Sequence, residues 1–281
     1  RGRVLILTDR IELLHQAAST LGKAGIQTGI LSAGMKHIPR QRVVVAMVET
    51  YYRRLKKGWS LPDLKLIIID EAHKGNFRKV IDLHTDTPII GATATPIASS
   101  KFEPLKHYFD DIVVGTQIHL LIESGYLSRP RYFAIPIEIT AKKGSDGEYK
   151  ASELFSDFDK PALYNGCVAN WQQHALGKKT LVFCVNIAHT IQTANAFGAV
   201  HDQVRYVTSD TPIDERQATL LWFSQTNDAI LVNCGILTTG FDEPTVECIL
   251  LNRATRSLPL YLQMCGRGSR TTAAKREFVI I

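Results

Sequence analysis

The strongest constraint on how this chain folds is a series of short apolar runs separated by longer amphipathic stretches. VLILT (4–8), VVVAM (43–47), LIIID (66–70) and PIIGAT (88–93) fall in the first half. TLVFCV (180–185), VRYVT (204–208), AILVNC (229–234), ECILL (247–251) and EFVII (277–281) fall in the second. Runs this short, with no polar alternation, suit strands of parallel sheets covered on both faces. Between them, RIELLHQAASTLGKAG and AHTIQTANAFGAVH carry apolar residues at helical spacing. Strand–helix alternation of this kind predicts an α/β architecture with parallel sheets. Asp9 is placed to cap the first helix before Ile11, Gly25 to end it, and Trp171 and Trp222 read as core.

The stretch 129–165 breaks the rhythm with three prolines and the turn cluster KKGSDGE. The expected organisation is a first α/β domain over 1–128, a connection over 129–165 and a second α/β domain over 166–281. With 281 residues, 45% of them hydrophobic and 21% charged, the chain has material for two cores and no bias toward disorder. No run approaches the roughly 18 apolar residues of a membrane-spanning helix, and the basic start lacks a signal peptide's apolar stretch. No membrane association is expected. The five cysteines form no Cys-x-x-Cys pair, and Cys184, Cys234 and Cys248 lie in apolar surroundings. They read as reduced thiols in a reducing compartment, with no structural zinc. The net charge of +6 inclines the chain toward an anionic partner such as nucleic acid.

The run LIIID ends in adjacent carboxylates, Asp70 and Glu71, within LIIIDEAH (66–73). Parallel α/β sheets bind ligands at the carboxyl ends of their strands. A carboxylate pair there suits a magnesium–triphosphate site, with Asp70 holding the hydrated metal and Glu71 deprotonating the attacking water. This is the Walker B pattern; the plainer alternative, a solvated acidic turn, is disfavoured by the buried strand before it. IIGATATP (89–96) sets the hydroxyls of Thr93 and Thr95 where they could link His73 to movement of a neighbouring domain, although alone it reads as a simple turn. In QMCGRGSR (263–270), Arg267 and Arg270 stand three apart, so on a helix both guanidinium groups project from one face, suited to a γ-phosphate or, as the plainer alternatives, to nucleic-acid phosphates or solvent. Gly266 and Gly268 each weaken a helix by roughly 1 kcal/mol, which argues against an ordinary basic helix. In LTTGFDEP (237–244), Gly240 permits a tight turn and Asp242 presents a carboxylate.

In this order and spacing, these segments resemble the superfamily 2 helicases and translocases. DEAH resembles motif II, GATATP motif III, TTGFDEP motif V and QMCGRGSR motif VI. VLILTDRIEL (4–13) is similar to motif Ia, VVVAMVET (43–50) to motif Ib and TLVFCVNIAHT (180–190) to motif IV. The runs SDTPIDER, TTGFDEP and CGRGSR, with RGRVLILT, resemble most the RadD-like DNA helicases and their phage-encoded relatives. The resemblance implies two RecA-like domains, parallel sheets flanked by helices, with ATP and Mg2+ as cofactors between them. It implies Asp70 for the metal, Glu71 as catalytic base, and His73 with Thr93 and Thr95 for coupling. Gln263, Arg267 and Arg270, with Gly240 and Asp242, would complete the nucleotide site. Thr8, Arg10, Glu49, Thr50, Asn186, Thr238 and Thr239 would lie at turns that touch nucleic acid. Such contacts go mostly to phosphates, so they tolerate any sequence and weaken with salt. The implied partner is DNA, single-stranded or forked, and the implied setting is the cytoplasm of a bacterium or a phage-infected cell.

One departure stands out. The family's P-loop, Gly-x-x-x-x-Gly-Lys-Ser/Thr, is absent; GKAG (22–25) and GKKT (177–180) lack the second glycine at the required distance. It should precede motif Ia, so the expectation is a first domain truncated at its N-terminus, within a longer protein. The alternatives are a non-catalytic nucleic-acid clamp and a double-strand translocase of the restriction or remodelling kind. YYRRLKKGW (51–59) mixes basic and aromatic residues that suit either base stacking or a solvated helix face. KHIPRQR (36–42) reads as a basic loop, and His84, His107 and His174 have no metal-ligand spacing.

Overall fold

Every apolar run read as a strand forms one. The computed structural model describes residues 2–35, 37–96, 104–144, 147–238 and 240–281. The chain divides into two units, Arg1–Val114 and Gly115–Ile281.

The first unit runs β1 (Arg3–Thr8), α1 (Ile11–Lys23), β2 (Thr28–Leu31), β3 (Val43–Met47), α2 (Val48–Leu55), β4 (Leu64–Asp70), α3 (Arg78–Ile81) and β5 (Ile89–Ala92). Its sheet has the order β2-β3-β1-β4-β5, with all pairs parallel. Ile6 stands opposite Val45 on one side and Ile68 on the other, and Ile68 faces Ile90 in turn. Leu5, Leu7, Val44, Ala46, Ile67 and Ile69 are fully buried and share a core with Tyr51, Phe77 and Val80. Each such leucine, isoleucine or valine contributes roughly 1.5–3 kcal/mol through burial. Coverage of the other face is partial: α1 packs against β2 and β3, but Ile90 is 54% exposed. The expectation of strands buried on both faces is therefore only half met in this unit. Asp9 does not cap α1. Arg10 occupies the cap position without a side-chain bond, because Asp9 is engaged with Lys74.

The second unit contains α4 (Ile118–Glu123), β6 (Arg129–Tyr132), α5 (Ala151–Phe158), α6 (Pro161–Ala175), β7 (Thr180–Cys184), α7 (Ile187–Gly198), β8 (Val204–Val207), α8 (Ile213–Gln225), β9 (Ile230–Asn233), β10 (Cys248–Asn252), α9 (Leu258–Gly266) and β11 (Glu277–Ile280). The sheet order is β6-β11-β10-β7-β9-β8, again all parallel. Here both faces are covered. Trp171 and Phe197 pack with Val182, Cys184, Ile230 and Val232, while Phe223 and Met264 pack with Leu181, Phe183, Leu231 and Ile249. Trp171 is core, its indole donating to Thr180 Oγ1 at 2.9 Å. Trp222 is half-buried instead, with the Arg205 guanidinium 4.4 Å above its ring.

The stretch 129–165, expected as a connection, is built into this second unit. β6 pairs along β11, and Asp157 of α5 accepts bonds from the backbone of Thr140 and Ala141, each at 2.8 Å. Glu148 ties the turn cluster to the start of α9. Its carboxylate accepts from Tyr149 N at 2.9 Å, Arg256 N at 2.6 Å, Ser257 N at 3.3 Å and the Thr255 hydroxyl. Burial pushes the Glu148 carboxyl up, but these donors together outweigh it and hold it below the usual range. Among the described residues, no helix is long and apolar enough to cross a membrane.

Candidate active site

A parallel sheet delivers all its strand ends to one edge, and in the first unit that edge collects Thr8 from β1, Glu49 beyond β3, Asp70 from β4 and Thr93 beyond β5. Asp70 ends β4 opposite Ala92 of β5. Glu71 follows in the left-handed region, with φ at +53°. A non-glycine residue keeps that conformation only where its surroundings hold it. Three contacts define the turn. Ala72 N donates to Ala92 O at 3.0 Å, Lys74 N donates to Glu71 O at 3.0 Å, and Ala72 Cβ lies over Gly91. A Cβ on Gly91 would meet Ala72 Cβ at 2.7 Å and Phe109 Cζ at 2.6 Å, so only glycine fits there.

His73 is buried at 6% exposure, with Nδ1 2.9 Å from Thr93 Oγ1 and 3.3 Å from a Glu71 carboxylate oxygen. The Thr93 hydroxyl donates to Thr95 O at 3.1 Å and accepts from Thr95 N at 3.0 Å. Its one proton is thereby used, so the hydrogen between Thr93 and His73 belongs to Nδ1. Burial lowers the His73 pKa, Lys74 lowers it further, and Asp9 and Asp70 oppose them. The lowered pKa keeps the imidazole neutral at pH 7, and its Nδ1 proton goes to the Thr93 hydroxyl with the Glu71 oxygen close by. The expected grouping of Glu71, His73, Thr93 and Thr95 is thus brought together within one unit. Thr8 is buried, its hydroxyl 3.4 Å from Arg10 O, whereas Arg10 and Thr50 are half-buried and Glu49 is exposed and paired with Lys79.

In the second unit, the segment after β9 and the segment after α9 close on each other. Arg267 Nη2 donates to Thr238 O at 2.8 Å and Nη1 to Phe241 O. Arg270 Nε lies 3.3 Å from Asp242 Oδ1, with both side chains well exposed at 57% and 43%. Gly240 takes φ of +75° in the turn between these contacts. Thr238 is buried, and Thr239 lies outside the described residues. The expectation that Arg267 and Arg270 share a helix face is corrected: α9 ends at Gly266, Arg267 is its C-cap, and Arg270 bridges antiparallel to Leu127. Gln263 lies on α9 and is half-buried. Asn186 caps α7 by accepting from His189 N at 2.8 Å.

Two cations escaped the sequence reading. Lys74, directly after DEAH, pairs with Asp9 at 2.7 Å. Lys275 is buried and donates to Val246 O at 2.7 Å and Gly268 O at 3.0 Å, stitching the segment after β9 to the one after α9. Burial pushes its ammonium down to about 8, against Glu247 and Glu243. Neither had a local signature: Asp9 lies 65 residues from Lys74, and Lys275 reaches backbone carbonyls rather than a charged partner. As a metal site, Asp70 and Glu71 suit magnesium, which keeps several waters and takes one or two carboxylates plus substrate phosphates. Among the described residues, no group of three or more His, Cys, Asp or Glu side chains could hold a metal on its own.

Comparison with known proteins agrees with this layout. Residues 1–98 match the family model described as type III restriction enzyme, res subunit, and residues 162–272 match the helicase conserved C-terminal domain. IRC3 of Saccharomyces cerevisiae, named as a candidate ATP-dependent helicase, is 32% identical over 99% of this chain and 42% of its own length. A 51.5 kDa protein of a Lactococcus phage is 27% identical over 99% of this chain and 59% of its own. The chain thus spans about half the length of these relatives. Among solved structures, a fragment of a candidate HsdR subunit of a type I restriction enzyme from Vibrio vulnificus superposes with a TM-score of 0.75 at 24% identity, covering all of this chain and 52% of that one. The type ISP restriction-modification enzyme LlaBIII, solved bound to DNA, gives 0.69 at 15% identity over all of this chain and 24% of its own. Two RecA-like folds, a restriction-enzyme res-subunit model followed by a helicase C-terminal model, and the DEAH turn lead to one assignment: the chain belongs to superfamily 2 of the helicases and translocases, of the restriction-enzyme and RadD-like type.

Proposed function

We propose that this chain is the motor core of an ATP-dependent DNA helicase or translocase, converting ATP hydrolysis into movement along nucleic acid. The observation that carries the reading is the turn after β4, where Asp70 and Glu71 leave a parallel strand and a buried, neutral His73 is hydrogen-bonded to Thr93 with a Glu71 oxygen 3.3 Å away. ATP with magnesium supplies the phosphoanhydride that is cleaved. Asp70 holds the hydrated cation, and Glu71 takes the proton from the attacking water. His73, through Thr93 and Thr95, passes the state of that base to the rest of the edge. Arg270, its exposed guanidinium paired with Asp242, is the arginine that reaches the γ-phosphate, whereas Arg267, committed to two carbonyls, positions the segment. Gln263 and Gly240 complete the nucleotide contacts. Thr8, Arg10, Glu49, Thr50, Asn186, Thr238 and Thr239 mark the turns that meet the phosphodiester backbone. Because Thr8 and Thr238 are buried, contact at their turns falls to backbone amides and to neighbours such as Arg10.

The restriction-type family model over residues 1–98 favours a second reading, translocation on duplex DNA without strand separation. The test is ATP hydrolysis by the full-length protein, with no DNA and with single-stranded, forked and duplex DNA. Stimulation by single-stranded or forked DNA supports the helicase, and stimulation by duplex alone supports the translocase. Glu71→Gln is expected to lower turnover by about a thousandfold or more while nucleotide binding persists. Absence of hydrolysis under every condition would assign the chain to a nucleic-acid clamp.

A further inference from the structure

β1 and β4 are neighbours in the first sheet, with Leu7 opposite Ile69, so the turns that follow them emerge side by side. The β1 turn carries Asp9, between Thr8 and Arg10; the β4 turn carries Lys74, three residues after Glu71. Lys74 Nζ meets Asp9 Oδ2 at 2.7 Å, and the side chains are only 22% and 14% exposed. The other oxygen of Asp9 is buried without a hydrogen-bond partner, so Lys74 is its compensating charge. An ion pair this enclosed is costly to break from one side, because the remaining charge stays buried. Lys74 also holds the base turn directly through its amide, which donates to Glu71 O at 3.0 Å. Glu71 sits in a conformation its neighbours must enforce: Ala72 joins its turn to the end of β5, and Lys74 joins it to the end of β1.

We propose that Asp9 and Lys74 are a positioning pair that fixes the turn of the general base to the β1 turn, so that nucleic acid held at Thr8 and Arg10 sets the placement of Glu71. The proposal rests on the motor reading above and names the physical link between two of its parts. DNA phosphates at the β1 turn order that turn, the ion pair carries the ordering to Lys74, and the Lys74 amide carries it to Glu71. Neither residue touches the reacting atoms.

The experiment uses the full-length protein with Lys74→Gln, Asp9→Asn, the double variant and Lys74→Arg, read as ATPase kcat and KM with and without DNA, DNA affinity and thermal midpoint. The expected result is a loss of about tenfold in DNA-stimulated kcat for each single neutral variant, with KM for ATP and DNA affinity within about twofold of wild type. The double variant should lose no more than either single one, because the two residues act as a unit. Lys74→Arg should retain stimulation. If a single variant fails to fold, the double variant, which buries no unpaired charge, carries the test. Full stimulation in the neutral variants, or single effects that add in the double, overturns the pair. Parallel losses in KM, DNA affinity and thermal midpoint would overturn it too, showing scaffold damage instead. A wild-type protein that hydrolyses ATP without responding to DNA overturns the motor reading itself, and the pair with it.

Discussion

The two glycines flanking Arg267 do different work although the sequence presents them alike. A Cβ on Gly268 would stand 2.2 Å from a Phe278 ring carbon and 3.0 Å from Ile249, whereas a Cβ on Gly266 would meet nothing within 4 Å. Phe278 belongs to β11 and is nearly fully buried, so it has no room to retreat. Gly268→Ala is expected to cost roughly 1–3 kcal/mol by overpacking. Gly266→Ala should be neutral or gain up to about 1 kcal/mol of helix propensity. Urea midpoints of the two variants check this; equal midpoints would mean that Phe278 does not enforce the glycine. Small size at 268 is what lets the arginine-bearing segment lie on the sheet, where Lys275 can reach its carbonyl.

At the scale of elements, α7 is fastened to the β7 and β10 ends by His189. Its Nδ1 accepts from Val185 N at 3.3 Å, and its Nε2 lies 3.2 Å from the Asn252 side-chain nitrogen. Burial pushes this imidazole down from 6.5 to about 4, against a weaker opposing pull from Asp159. An unfolded histidine takes up its proton as pH falls below about 6.5, while the buried one resists until about 4, so the unfolded state binds more protons in that window. Stability should therefore fall as pH drops from about 6.5 to 4, by up to roughly 3 kcal/mol. Denaturation series at pH 7 and pH 4.5 should show a flatter dependence in His189→Gln; an unchanged slope would place the titration elsewhere. What the sequence disclosed and what it hid divide along this same scale. Apolar runs revealed nine strands and the edge that holds Asp70, Glu71 and Thr93, because parallel strands announce themselves by continuous hydrophobicity. β6, RPRY, stayed hidden because an edge strand can be polar and can hold Pro130 between the donating amides of Arg129 and Phe133. The misreading of Asp9 as a cap, and of Arg267 and Arg270 as one helix face, came from local spacing. The actual partners are Lys74, 65 residues from Asp9, and the carbonyls of Thr238 and Phe241.

For the molecule as a whole, the cysteines offer a folding reporter. Cys167, Cys184 and Cys248 are at most 5% exposed, and burial raises all three thiols, Cys184 and Cys248 to about 12. A brief alkylation of native protein should leave these three unmodified and reach half-buried Cys234 first, as read by peptide mass. Labelling of all three at the rate of a free thiol would mean that the second core opens readily. The same unit has a temporal side. Among the described residues, its edge strand β6 pairs with β11, the last of this sheet's strands in chain order, with Tyr132 beside Ile280. During synthesis, Arg129–Tyr132 leaves the ribosome long before that neighbour exists. The second sheet therefore acquires its edge only after translation has passed Ile280, and a message cut after Lys275 would release a nascent chain with an unpaired strand and an open core.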